Sequence, residues 1–110
     1  MDWQWENSLE KRDYTFPAGQ PAAGRALAGV VGSGDLEVLL QPGSDGVTRI
    51  VVNTSVDGKG ALWDALLARV FTGELLPAAS IVINDCGATP GVVRMRIEQA
   101  FEEIKPEGQP

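Results

Sequence analysis

One serine of this sequence stands between two glycines, in a chain that contains no histidine. Ser33 lies in the segment 30–36, which reads VVGSGDL. A serine hydroxyl acts as an enzymatic nucleophile when a neighbouring base, usually imidazole, removes its proton. The glycines carry no Cβ, so they permit a tight turn and leave the hydroxyl accessible. The pattern suits an attachment point for another enzyme better than a nucleophile, but Gly-Ser-Gly alone is more typical of an ordinary turn with a polar tip.

The other residues that carry chemistry exclude several classes of protein. Cys86 is the single cysteine, so an internal disulfide and a zinc site are not expected in a chain without histidine. The formal charge is −6, with 9 basic against 15 acidic residues, which argues against binding to nucleic acid. No segment has the length of a membrane span, and the first residues lack the pattern of a signal peptide. We expect a cytoplasmic protein with no membrane partner and no metal site.

The elements that position Ser33 are predicted to form one domain, since the chain has 110 residues. We expect a flexible leader over 1–12, the domain over 13–105 and a flexible tail over 106–110. Alternating or β-branched segments predict strands, bounded by Gly- and Pro-containing turns. Residues 35–41 and 47–54 are predicted to pair as a hairpin, which the Ser33 turn would open. The remaining strands are expected at 14–16, 24–31 and 80–85.

Two amphipathic helices follow from the spacing of apolar residues. A first helical face combines Trp63, Leu66, Leu67, Val70 and Phe71, and the helix is expected to end at Thr72-Gly73. The second helix has an N-cap at Thr89, Pro90 at its first position, and an apolar face of Val93, Ile97, Ala100, Phe101 and Ile104. The order of elements predicts an α+β fold, a two-layer domain with a mainly antiparallel sheet and both helices on one face.

Three segments together resemble a known family. They are GRALAGVVGSGDLEVL at 24–39, NTSV at 53–56 and GATPGVVRMRIEQAFEE at 87–103. Their sequences, order and separation are similar to those of the acyl-carrier subunit, called delta, of malonate decarboxylase, over roughly 14–104. This likeness is far more specific than a lone Gly-Ser-Gly motif.

The resemblance implies a carrier without catalytic residues of its own. In that family the serine of the Gly-Ser-Gly-Asp turn carries a triphosphoribosyl-dephospho-CoA arm through a phosphodiester. The matching position is Ser33, with Gly32, Gly34 and Asp35 as its neighbours in the cofactor site. The thiol of the arm, rather than Cys86, would carry malonyl and acetyl thioesters. The implied partners are an acetyl/malonyl transferase subunit, decarboxylase subunits and an arm-transferring enzyme.

Other polar residues near these motifs have less specific interpretations. We expect Asp35 to fix the turn or to contact the arm-transferring enzyme, and a solvated turn residue is an equally good interpretation. Thr89 is expected to cap its helix rather than to help bind a phosphate of the arm. Arg94 and Arg96 could pair with phosphates or with acidic residues of a partner, but a charged helix face that meets water is the commoner role. Cys86 is interpreted as a small buried apolar residue rather than a reactive thiol.

Three other protein classes share some of these features. The acyl-carrier (gamma) subunit of citrate lyase is similar in carrying this prosthetic group on a serine, but the GATPGV run favours malonate decarboxylase. A small serine hydrolase is disfavoured because histidine is absent and because Val31 and Asp35 occupy the glycine positions of a Gly-x-Ser-x-Gly motif. A phosphopantetheine-type carrier is also disfavoured, since those carriers are helical bundles and this sequence is rich in strands.

Overall fold

Five strands form one sheet and two helices cover one of its faces, in a computed structural model that describes residues 10–104. The predicted α+β architecture of two layers is confirmed. The strands are β1 (Glu10–Pro17), β2 (Ala26–Gly29), β3 (Leu36–Pro42), β4 (Val47–Thr54) and β5 (Ala79–Asp85). The helices are α1 (Gly60–Thr72) and α2 (Pro90–Glu103).

The order of the strands across the sheet is β1-β4-β5-β3-β2, and only β4 and β5 are parallel. The predicted hairpin between 35–41 and 47–54 is therefore wrong. β5 lies between those two strands because α1 carries the chain back after β4, which lets β5 pair parallel to β4 and antiparallel to β3. β5 is rich in apolar side chains, and Ile81 and Ile83 are fully buried, as expected for a central strand.

The Ser33 turn joins a different pair of strands from the one predicted. β2 and β3 are antiparallel neighbours, with Ala28 opposite Val38 and Gly29 opposite Glu37. The loop between them contains Ser33, so the turn closes the β2–β3 hairpin at one edge of the sheet.

The predicted edge strand at 14–16 is longer in the structure. β1 begins at Glu10 and pairs with β4 along its whole length, from Glu10 opposite Thr54 to Pro17 opposite Val47. Residues 10–12 of the expected leader are thus part of the sheet. The rest of that leader and the expected tail lie outside the described residues, and the domain boundaries stay a prediction.

The core lies between the sheet and the helices. The alternating pattern of β3 buries Leu36, Val38 and Leu40, as predicted. Both predicted helical faces are confirmed, since they point toward the sheet. Their buried residues are Trp63, Leu67 and Phe71 on α1 and Val93, Ile97, Ala100 and, directly after α2, Ile104.

Several chain segments come together where the central strands end. β4 and β5 end side by side at Thr54 and Asp85, and β3 begins beside Asp85 at Leu36. Both helices begin shortly after those strand ends. This end of the sheet therefore holds the Ser33 turn, the segment 86–89 and the first turns of both helices. Neither helix of the described residues is long and apolar enough to cross a membrane.

Candidate functional site

Ser33 lies at the tip of a four-residue β-turn. The N–H of Asp35 donates to the carbonyl of Gly32 at 2.9 Å, which closes the turn. Gly34 has φ of +77°, while Ser33 is in the negative-φ region. A positive φ at only the third residue is the pattern of a type II turn, which favours glycine there. The conformation therefore explains Gly34, and it leaves Ser33 as an exposed residue of ordinary backbone geometry.

Gly32 has a different role from Gly34. A Cβ added at Gly32 would meet only a methyl of Val30 at 3.9 Å, and no positive φ constrains the residue. A Cβ at Gly34 would have no heavy atom within 4 Å. The two glycines thus leave open space beside the backbone on both sides of Ser33, and only Gly34 is required by the backbone conformation.

Two backbone hydrogen bonds attach this turn to the end of β5. The N–H of Gly34 donates to the carbonyl of Cys86 at 2.8 Å, and the N–H of Cys86 donates to the carbonyl of Asp35 at 2.9 Å. These bonds continue the antiparallel pairing of β3 with β5 beyond its last paired residues. The turn is consequently fixed to the centre of the sheet, although its tip is exposed.

The Asp35 carboxylate connects the turn to α2. Its Oδ2 accepts from Nη2 of Arg96 at 2.7 Å, and its Oδ1 accepts from Nε of Arg96 at 3.1 Å. Oδ1 also accepts from the N–H of Leu36 at 2.7 Å. Two parallel bonds between guanidinium and carboxylate fix orientation as well as distance. The expectation that Asp35 fixes the turn agrees with this geometry.

Gly29 allows Arg96 to reach Asp35. A Cβ built on Gly29 would come within 3.1 Å of the Cδ and Nε atoms of Arg96, and it would overlap the carbonyl oxygen of Leu36. Gly29 also has φ of +84°. The last residue of β2 must therefore lack a side chain so that the arginine can cross the hairpin.

The ion pair also decides the charge states beside Ser33. The Arg96 guanidinium and, to a smaller extent, the N–H of Leu36 lower the pKa of Asp35 below its ordinary value of 3.8. The carboxylate in turn raises the pKa of Arg96. Asp35 is therefore ionised at neutral pH with its lone pairs directed to Arg96, so it is poorly suited to take a proton from Ser33.

The Ser33 hydroxyl has no hydrogen-bond partner among residues 10–104. The described residues contain no group of three or more Cys, Asp or Glu side chains that could hold a metal ion. No side chain activates Ser33 within this part of the chain. The arrangement presents a hydroxyl without supplying the base that a hydrolase requires.

The other sequence interpretations have definite outcomes. Thr89 caps α2, because its hydroxyl accepts from the N–H of Val92 at 3.3 Å. Arg94 pairs with Glu98 on the exposed face of α2. Cys86 is partly buried, and burial together with the charge of Asp85 raises the pKa of its thiol, although a hydrogen bond from Ser55 opposes this. The raised pKa disfavours a reactive thiolate.

Arg96 is the residue whose role the sequence interpretation missed. Neither a solvated helix face nor a contact with a phosphate or a partner describes it, because Arg96 holds the Ser33 turn from a position 61 residues after Asp35. Its place directly before the buried Ile97 is a weak sequence signal that the side chain starts near the packed face. The pairing itself depends on how α2 lies over β2 and β3.

The comparison with known proteins agrees with this fold and shows the family. The sequence profile of the malonate decarboxylase delta subunit (MdcD) matches residues 23–104, which include the Ser33 turn, Asp35 and Arg96. The chain belongs to the malonate decarboxylase delta subunit family. It is an acyl-carrier subunit and not a catalytic one, and the family match favours malonate decarboxylase over citrate lyase.

Two relatives and one solved structure extend this result. The malonate decarboxylase acyl carrier protein of Pseudomonas syringae pv. syringae (strain B728a) is 62% identical over 96 residues, covering 87% of this chain and 97% of its own. That of Pseudomonas aeruginosa (strain UCBPP-PA14) is 62% identical over 95 residues, covering 86% and 96%. A chain in the crystal structure of a Pseudomonas malonate decarboxylase hetero-tetramer in complex with malonate matches with a TM-score of 0.86 and 58% identity, over 88% of this chain and 100% of that chain.

Proposed function

We propose that Ser33 is the attachment point of the acyl-carrying arm, with triphosphoribosyl-dephospho-CoA as its donor. The observation that carries the proposal is the exposed, unpartnered hydroxyl at the tip of a rigidly held turn. Its oxygen would attack the α-phosphorus of the donor's triphosphate, which is the phosphorus bonded to the ribose. A phosphodiester bond would form there, and pyrophosphate would leave. The base that takes the serine proton must come from the arm-transferring enzyme, because no described residue of this chain is placed to do so.

The residues around Ser33 fit this role in three ways. Gly32 and Gly34 leave room for another enzyme's active site on both sides of the hydroxyl. Asp35 and Arg96 hold the turn in place without competing for the serine. Cys86 contributes backbone bonds to the turn, while its thiol is partly buried. The chain thus orients the attachment point and leaves the bond-making chemistry to its partners.

When attached, the arm supplies a thiol that holds malonyl or acetyl groups as thioesters. We propose that the chain presents these groups in turn to an acetyl/malonyl transferase subunit and to decarboxylase subunits. A solved relative lies in a hetero-tetrameric complex, which supports the existence of such partners. Because the hydroxyl tip projects from the edge of the sheet, the same turn can face different partners without rearrangement of the core.

Intact mass spectrometry tests the attachment site. The chain is produced together with enzymes that make and transfer the arm, and Ser33→Ala is compared with Ser44→Ala and with the parent. We expect a mass increase in the parent and in Ser44→Ala, and none in Ser33→Ala, with the same unfolding temperature for all three. A mass increase that persists in Ser33→Ala, or that peptide mapping locates at Ser44 or Ser55, would overturn the assignment.

Ester hydrolysis tests the absence of a catalytic serine. The isolated chain is expected to hydrolyse an activated ester no faster than a Cys86→Ser control, since no base acts on Ser33. Turnover that is well above this background and is lost in Ser33→Ala would return the assignment to a hydrolase.

A further inference from the structure

An apolar cavity opens at the same edge of the molecule as the Ser33 turn. It lies between the first turns of α1 and α2 and has a volume of about 300 Å³. Its wall is largely apolar, with Val56, Leu62, Trp63, Leu66 and Val93 among the side chains that line it. Leu62 is 44% exposed although it belongs to this wall. No residue of the described chain fills the space.

We propose that this cavity receives the acylated end of the arm carried by Ser33, and that Lys59 at its rim favours the malonyl form. The inference rests on the proposed function, because the occupant is the group attached at Ser33. It assigns a binding role to the cavity between the helices. The attachment turn itself has no such role.

The position of the cavity supports an occupant tethered at Ser33. Gly34 is hydrogen-bonded to Cys86 at 2.8 Å, and Gly87, the next residue, belongs to the cavity wall. With about 3.8 Å between successive Cα atoms and about 5 Å across the hydrogen-bonded pair, the rim lies roughly 13 Å from Ser33 along this path. A nucleotide-containing arm of the CoA type is longer than this, so its thiol end can fold back into the groove.

The size of the cavity also suits this occupant. At about 30 Å³ for a water-sized group, its volume accommodates roughly ten non-hydrogen atoms. A malonyl group with the sulfur-bearing end of the arm has about this number, and most of these atoms tolerate an apolar wall. A whole nucleotide would not fit, which restricts the occupant to the acyl end.

Charge complementarity distinguishes malonyl from acetyl. Lys59 is exposed at the start of α1, and its ammonium group has no ion-pair partner among residues 10–104. The acidic group of the wall is Asp85, but its carboxylate already accepts hydrogen bonds from Thr54, Gly87 and Ala88. The free carboxylate of a malonyl group therefore meets one unpaired positive charge at the rim, whereas an acetyl group offers no charge to it.

Methyl NMR on the intact modified chain tests the proposal. The signals of Val56, Leu62, Leu66 and Val93 are compared in the unmodified, free-thiol, acetyl and malonyl forms. We expect these methyl signals to shift when the thiol is acylated, with the larger shift for malonyl. The same loaded proteins are then followed for loss of the thioester by mass, which we expect to be slow while the acyl end lies in the groove.

Two surface variants form a matched pair. Leu62→Glu places a negative charge in the cavity wall, and Leu75→Glu makes the same change at another exposed leucine, which is 69% exposed and outside this wall. We expect Leu62→Glu to abolish the shifts of the other three methyl-bearing residues and to hasten thioester loss, while Leu75→Glu behaves as the parent. Lys59→Gln should reduce occupancy by the malonyl form roughly two- to fivefold, as for a single exposed ion pair, without affecting the acetyl form.

The outcomes separate this inference from the proposed function. If mass spectrometry shows the arm on Ser33 but the methyl signals are the same in all forms, the cavity proposal is wrong and the attachment proposal stands. Equal rates of thioester loss in the parent and in Leu62→Glu would overturn it in the same way. If the enzymes that make and transfer the arm attach none at Ser33, both proposals fail.

Discussion

Replacement of Gly34 by valine separates access to Ser33 from stability of the turn. Gly34 has φ of +77°, and no heavy atom lies within 4 Å of a Cβ built there, so the substitution strains the backbone without a steric clash. A β-branched residue held at positive φ costs roughly 1–3 kcal/mol. For a domain of this size we expect the melting temperature to fall by roughly 5–20 °C. The folded protein should remain dominant at room temperature.

The same variant should be a poor substrate for arm transfer. Valine adds a branched side chain directly beside the hydroxyl that must enter another active site. Small displacements of a reacting group reduce rates strongly, so we expect kcat/KM for arm transfer to fall roughly ten- to hundredfold. The rate is measured by intact mass well below the melting temperature, so that unfolding does not contribute.

Gly46→Val is the matched control for this prediction. Gly46 has φ of +84°, and a Cβ there would also have no heavy atom within 4 Å. It lies in the loop after β3, at the opposite end of that strand from Ser33 and about 20 Å away by strand length. Both variants should lose similar stability, and only Gly34→Val should be modified slowly. Equal modification rates for Gly34→Val, Gly46→Val and the parent would refute the argument that open space at the turn serves access.

Three further predictions concern residues in or near the Ser33 turn. The pKa of Asp35, followed by carboxyl NMR, should lie below 3.8 and should rise toward that value in Arg96→Gln. Because folding lowers this pKa, the stabilisation by the Asp35–Arg96 pair is complete above pH 3.8. It is lost as the pH falls through the lowered value. Gly29→Ala should destabilise the domain by roughly 3–5 kcal/mol in urea unfolding, because strain at positive φ adds to overlap with the Leu36 carbonyl. Asp85→Ala should cost roughly 2–4 kcal/mol in the same assay, since it leaves three buried or partly buried donors without their charged acceptor.

Each of these three predictions can be contradicted by a specific measurement. A midpoint for Asp35 at or above 3.8 in the parent would mean that the carboxylate is not bound to Arg96. Gly34→Ala is the control for Gly29→Ala, because it has the strain without the overlap; equal stability losses would show that Leu36 and Arg96 do not approach Gly29 as described. An Asp85→Ala protein as stable as the parent would show that its hydrogen bonds are absent in solution.

Local patterns in the sequence were sufficient for most individual elements. Alternation placed Leu36, Val38 and Leu40 on the buried face of β3, and helical spacing identified the packed faces of α1 and α2. These patterns indicate which side of an element is buried, because the buried side is set by the spacing of apolar residues within the element. Strand pairing depends on the whole chain, so the sequence wrongly joined β3 to β4, where the structure inserts β5 between them.

Three properties of the site can be read from the order of the amino acids: Ser33 is flanked by glycines, no histidine of the chain can activate it, and three motifs resemble one family. How the turn is held depends on the packing of the whole domain. Asp35 meets Arg96 only because α2 lies over β2 and β3, and Gly34 bonds to Cys86 only because β5 pairs with β3. The same packing opens the cavity between the two helices at the end of the sheet where the turn lies. Contacts between residues 50 or 60 positions apart arise from packing of complete elements, and no local pattern in the sequence encodes them.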